Sequence, residues 1–135
     1  MKKSSKILKL SILAGSIYFS LVAVAHLSGL KIPGLFIYFE LPSYEFQDKI
    51  VALFALGWAI FFYSAYKDPL KYIGLVRAII IAGAAAIIIL CVINFSINFS
   101  SLKESTNIGI IWLQVILLFF YWLWLVVYYF KVKNE

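Results

Sequence analysis

The chain has 135 residues, 64% of them hydrophobic, 19% aromatic and only 13% charged, and its mean hydropathy is +0.99. A soluble domain of this length cannot hide so much apolar surface in one core, whereas a bilayer lets helices turn apolar side chains outward as well as inward. The net charge of +6 comes from twelve Lys and Arg scattered beside apolar runs, without a basic face or a recognition motif, which argues for membrane orientation and against a nucleic-acid partner.

Four apolar runs predict an all-α fold: an integral membrane four-helix bundle forming one transmembrane domain over residues 1–135, with spans near 7–30, 50–66, 72–94 and 108–130. The first run follows a basic start at Lys2, Lys3 and Lys6. That start, with the triplet Ala23-Val24-Ala25, resembles a signal peptide and its cleavage site. The apolar stretch from Leu10 is longer than a signal-peptide core of roughly 7 to 15 residues, so a retained helix is the expectation.

Between the first and second runs, residues 31–47 are unusually apolar and aromatic for a loop. Pro33-Gly34 and Pro42 mark breaks, while Phe36, Tyr38 and Phe39 suit a lipid–water interface, so a short helix or an extended cover over the mouth of the bundle is expected. An alternation of side chains from Leu35 to Leu41 also permits a strand. The second run is the shortest, and neighbouring Phe46 or Lys49 is expected to complete its span. Its Ala52, Ala55 and Ala59 share one face with Asp48, which should point at another helix.

The third run carries a small-residue ladder, Gly74, Ala78 and Ala82 with Ala85 beside it, which reads as a close contact within the bundle or between subunits. Cys91, also in this run, is the single cysteine; it excludes an intrachain disulfide and reads as a small core residue. The tripeptides Asn94-Phe95-Ser96 and Asn98-Phe99-Ser100 match the glycosylation pattern but lie too close to the bilayer to carry weight. The fourth run has no alanine and many rings, including Trp112, Trp122 and Trp124, and is expected to face lipid, with Tyr128 and Tyr129 as an interfacial anchor.

Nine Lys and Arg flank the end that holds the termini and the connection at residues 67–71, against Lys31, Lys49 and Lys103 at the other end. This imbalance places both termini in the cytoplasm, with a bacterial cytoplasmic membrane as the expected location. Four of the six acidic residues, Glu40, Glu45, Asp48 and Glu104, fall on the outer side. Arg77, near the inner end of its helix, can snorkel to the headgroups.

Polar side chains inside spans are costly and so point to function. Here they gather at the outer end: His26, Asp48, Asn94, Asn98 and Gln114, contributed by all four helices. They are candidates for an outward-facing polar pocket, lidded by residues 31–47, that holds a lipid headgroup, a quinone head or another small molecule. His26 and Asp48 are candidates for proton exchange there, because a histidine side chain titrates near neutrality. The plainer reading is that these groups hydrogen-bond one another and tie the helix ends together.

A lone histidine with Glu45 and Asp48 lacks the ligand number of a zinc centre, and no positional signature supports Ser28 or Ser43 as a nucleophile. No metal or cofactor is expected. The favoured function is therefore a non-enzymatic membrane component binding a partner protein, a second copy of itself, a lipid or a small hydrophobic ligand. An oligomeric transporter or channel subunit is the first alternative, and a membrane oxidoreductase or hydrolase the second.

Overall fold

The computed structural model describes residues 3–39, 41–103 and 106–134. Four long helices, α1 (Lys3–Ser28), α2 (Glu45–Lys67), α3 (Ile73–Ser96) and α5 (Ile108–Lys133), are joined by connections that include a single turn, α4 (Phe99–Leu102). Each long helix is apolar enough to cross a membrane, and at about 1.5 Å per residue each reaches at least about 34 Å, more than the hydrocarbon core requires. The chain is an all-α integral membrane bundle, with no strand among the described residues. Glu40 and Glu104 of the acidic set, and Lys2 of the basic start, lie outside the described residues.

Local chemistry sets where the helices stop. Gly29, at φ 68°, ends α1 in the left-handed conformation that glycine adopts without a Cβ penalty. The Leu30 N–H bonds to Ala25 O at 2.9 Å and the Gly29 N–H to His26 O at 3.3 Å, the two reversed bonds of a Schellman end. His26 is thereby fixed in the last turn. Glu45 and Asp48 occupy the first turn of α2, where carboxylates complement the positive end of the helix dipole. α2 closes at Lys67 because Asp68 precedes Pro69 and is pushed out of the helical region, to φ −151° and ψ 90°.

Neighbours in the chain pack as neighbours in a ring: α1 on α2, α2 on α3, α3 on α5 and α5 back on α1. The α1–α2 seam is the most extensive, and its small side chains explain why. Ala52, Ala55 and Ala59 are buried on α2, facing Gly15, Ser16 and Ala23 on α1, and Ser16 Oγ donates to Ala59 O at 2.9 Å. Such close approach supplies the packing and interhelical bonding that lipid tails leave undriven. At Gly15 the space is already taken by the Phe62 ring and the Tyr121 hydroxyl, so α1, α2 and α5 meet over a missing side chain.

The core lies in the half of the bundle that holds the termini. Leu8 and Ile12 from α1, Phe62 and Ala65 from α2, Val76 and Ile79 from α3, and Leu125, Tyr129 and Val132 from α5 form one cluster. Among the described residues, the opposite half has a smaller cluster of Val22, Ala23 and Ala55. Gly74 and Ala78 of the small-residue ladder are exposed on the single chain and Ala82 is partly buried. The α3 stripe that meets the bundle is Val76, Ile79 and Gly83, where the Trp122 ring lies against the glycine and its Nε1 donates to Ile80 O at 2.8 Å.

The rings of α5 are cross-links as well as lipid-facing surface. Tyr121 Oη donates to Ser11 O at 2.8 Å and Trp124 Nε1 to Ser11 Oγ at 2.9 Å, tying the middle of α5 to α1. At the termini end, Lys9, Lys67, Lys71 and Lys131 sit over the rings of Tyr66, Tyr63, Tyr72 and Tyr128 at 5.0 to 5.6 Å. This belt suits an interface where cations and amphipathic rings share the headgroup layer.

Candidate functional site at the loop end

Residues 29–39 and 41–44 fold back over the bundle as a chain of turns rather than as a helix or a strand. Pro33-Gly34 occupies the centre of the first turn: Leu35 N–H bonds to Ile32 O at 3.2 Å, and Gly34 has the positive φ of 79° that a type II turn requires at its third residue. The turn sends Phe36, Ile37 and Tyr38 inward, all partly buried. Apolar loop side chains therefore cap the mouth of the bundle instead of facing water.

Every long helix holds this loop through one polar contact or ring contact. On α1, the His26 ring packs on Phe36 at 4.4 Å between centroids. On α2, Asp48 Oδ2 accepts from Ser43 Oγ at 2.9 Å. On α3, Asn94 Oδ1 accepts from Tyr38 Oη at 2.8 Å, while the Tyr38 ring stacks on buried Phe99 of α4. On α5, Gln114 Nε2 donates to Phe36 O at 3.5 Å. Burial of its ring, with Cys91 near by, raises the Tyr38 pKa above the ordinary tyrosine value and keeps its hydroxyl a donor.

His26 and Asp48 meet directly, with Nδ1 3.0 Å from Oδ1 and side chains only 11% and 17% exposed. The contact continues the small-residue seam, since His26 lies one turn beyond Ala23's stripe and Asp48 one turn before Ala52. Beyond the pair, Ser43 Oγ accepts from Lys31 Nζ at 3.0 Å, and Lys31 Nζ also donates to Leu41 O at 2.7 Å. The result is a hydrogen-bonded line from Lys31 through Ser43 and Asp48 to His26. Lys31 and Ser43 were not among the polar residues singled out by span position, because both sit in the loop; the turn residues around them were the available signal.

The remaining candidates are placed less centrally. Asn98 is exposed, and its backbone carbonyl caps the Ser101 N–H at 3.1 Å. Asn94 Nδ2 and Gln114 Oε1 are buried without a hydrogen-bond partner, so each amide is half satisfied. Ser28 Oγ donates back to Val24 O at 2.7 Å within its own helix, and Glu45 pairs with Lys49. Ser43 directs its proton to Asp48 rather than to His26, so the order of a Ser-His-Asp relay is not assembled. No group of three or more metal-ligating side chains occurs among the described residues.

Two cavities flank the loop and share Phe36 and Ile37 as a partition. The larger, about 480 Å³, lies under the loop on the α2–α3 side and is mostly apolar, lined by Val51, Ile93, Ile97 and Leu102 among others, with His26, Lys31, Ser43 and Asp48 also in its lining. The smaller, about 320 Å³, lies between α1 and α5 and is lined mainly by apolar side chains from Ala14 to Phe19 and from Gln114 to Tyr121. Both fall within the volume range of small-molecule sites. No protein-family model, curated protein or solved structure matches the chain.

Proposed function

We propose that this chain is a non-enzymatic membrane component that binds a lipid or another small amphiphile in the larger loop-end cavity. One observation carries the reading: a 480 Å³, mostly apolar space whose lining also holds His26, Lys31, Ser43 and Asp48, at the level where helix ends give way to a covering loop. An amphiphile matches that lining, with its tail on Val51, Ile93 and Ile97 and its head toward Lys31, Ser43, Asp48 and His26. The cavity lies beside α2 and α3, the least extensively packed of the four helix pairs, which favours access from the lipid side.

In this reading the loop end faces outward and both termini lie in the cytoplasm of a bacterium, following the nine-to-three bias of Lys and Arg. The Lys-over-Tyr belt at the termini end suits that orientation. Binding is favoured over passage because Leu8, Phe62 and Leu125 pack the other half with apolar side chains from α1, α2 and α5. The test is mass spectrometry of the protein released from nanodiscs of native lipid. The expected result is a retained amphiphile that is lost when Ile93→Trp fills the cavity; retention of nothing beyond bulk lipid by the unaltered protein would overturn the reading.

A further inference from the structure

The line of hydrogen bonds that ends at His26 leaves one atom of the ring unused. Asp48 is fully engaged, by His26 Nδ1 on Oδ1 and by Ser43 Oγ on Oδ2. His26 Nε2 has no hydrogen-bond partner among the described residues, and it is not one of the sealed, unpartnered atoms, which are Asn94 Nδ2 and Gln114 Oε1. His26 lines the larger cavity. In the tautomer that donates Nδ1–H to the Asp48 carboxylate, Nε2 presents a lone pair.

We infer that His26 Nε2 is the cavity's recognition atom and selects ligands whose head donates a hydroxyl: an alkylphenol or a long-chain alcohol rather than an ester or an ether. The inference rests on the reading of this cavity as an amphiphile site and adds the chemistry of the head. An ester or an ether offers only acceptor oxygens, so an acceptor at this position distinguishes a hydroxyl head from them where a further donor does not. Phe36, packed on the imidazole, sets the plane in which the hydroxyl must approach. Lys31 and Gln47 are polar members of the same lining.

The hydrogen-bonded line fixes the tautomer and makes it testable. Lys31 Nζ has only protons to give, so the Ser43 oxygen accepts from it and the Ser43 proton points at Asp48. In Asp48→Asn the amide oxygen that keeps the Ser43 proton leaves the amide nitrogen facing His26. That nitrogen donates, Nδ1 becomes the acceptor, and the ring proton moves to Nε2. A nearly isosteric change at Asp48 thus converts the cavity atom from acceptor to donor without touching the cavity wall.

The experiment measures binding of para-octylphenol and of its methyl ether, para-octylanisole, to the full chain in nanodiscs, with partition into empty nanodiscs subtracted. The unaltered protein is expected to bind the phenol roughly tenfold more tightly than the ether, the worth of one well-placed hydrogen bond. Asp48→Asn and, separately, His26→Phe should abolish that preference while leaving ether binding within about twofold. Nitrogen-15 NMR of His26 should report the proton on Nδ1 in the unaltered protein and on Nε2 in Asp48→Asn.

Equal binding of both probes by the unaltered protein, or a phenol preference that survives both substitutions, overturns the inference and leaves the cavity's amphiphile reading standing. Binding of neither probe above the empty-disc level removes both.

Discussion

The two halves of the bundle are held together by different physics. At the termini end, Leu8, Ile12, Phe62, Leu125 and their neighbours from all four long helices interlock as a packed core, to which Tyr121 and Trp124 add hydrogen bonds on Ser11. At the loop end that core is missing, and in its place a turn-rich segment is tied to α1, α2, α3 and α5 by Phe36, Ser43, Tyr38 and the Phe36 carbonyl. Packing is non-specific in chemistry and fails globally when cut. A set of separate polar tethers fails one at a time, and it leaves space between them for a ligand.

The largest effect should come from cutting the packed half. Phe62→Ala removes a fully buried ring that touches α1, α2 and α5 together. Buried Phe→Ala changes cost about 3–5 kcal/mol in soluble cores, and the loss of packing contacts persists in lipid even though the transfer from water does not. A destabilisation near the lower figure is expected in thermal or denaturant unfolding in detergent, with all four helices lost in one step. If only the loop end loosened while the helices stayed cooperative, the division into two halves would be wrong.

Next comes the tether that carries charge. Asp48→Ala deprives both His26 and Ser43 of their acceptor, and hydrogen bonds to ionised groups contribute about 1.5–3 kcal/mol. The expected signature is local: faster amide exchange over residues 31–44, with protection in α3 and α5 unchanged. Uniform loss of protection through all four helices would show that the loop end is part of the global cooperative unit.

How far the sequence could foresee this differs between elements for physical reasons. Four spans, their order and the loop's place over the mouth followed from run length and from Pro33-Gly34, because bilayer thickness and turn geometry are local constraints. On α2, Ala52, Ala55 and Ala59 contrast with large neighbours in the sequence, and all three are buried. The contact face of α3 was not legible. Around it Gly74, Ala78, Ala82, Gly83, Ala84, Ala85 and Ala86 offer several equivalent ladders, and only the Trp122 ring selects Gly83.

The same limit applies to the site. Span position alone marks Asp48 and His26 as polar residues at one end of the bundle, but Lys31, Ser43 and Tyr38 become partners only through turns that bring distant residues back. On α5, the indole nitrogens of Trp122 and Trp124 bond to α3 and α1, which composition could not distinguish from rings anchored in lipid.

Gly83→Ala sharpens the reading of α3. A Cβ there would stand 2.9 Å from Trp122 Cδ1, so the indole must move and its bond to Ile80 O must lengthen. Overpacking of this kind costs about 1–3 kcal/mol. Unfolding should shift by that amount and tryptophan fluorescence should change, whereas Gly74→Ala, with nothing within 4 Å of the added carbon, should leave the fluorescence unchanged and cause no destabilisation in the single chain. Equal effects at both positions would mean that the small-residue ladder, and not Gly83, faces a neighbour.

The smallest effect isolates one tether. Tyr38→Phe keeps the stack on Phe99 and removes only the hydroxyl given to Asn94, which should cost about 0.5–1.5 kcal/mol and speed exchange near residue 38. Base should act on the same bond. Because burial raises the Tyr38 pKa above 10.0, the folded state keeps this proton after a free tyrosine has lost it. The tether's contribution is complete below the ordinary value and fades as pH climbs from there through the raised one. Phenolate absorbance of the unaltered protein minus that of Tyr38→Phe should therefore appear late, together with faster exchange in the loop. A difference titration at the ordinary tyrosine value would place Tyr38 in solvent and untie α3 from the loop.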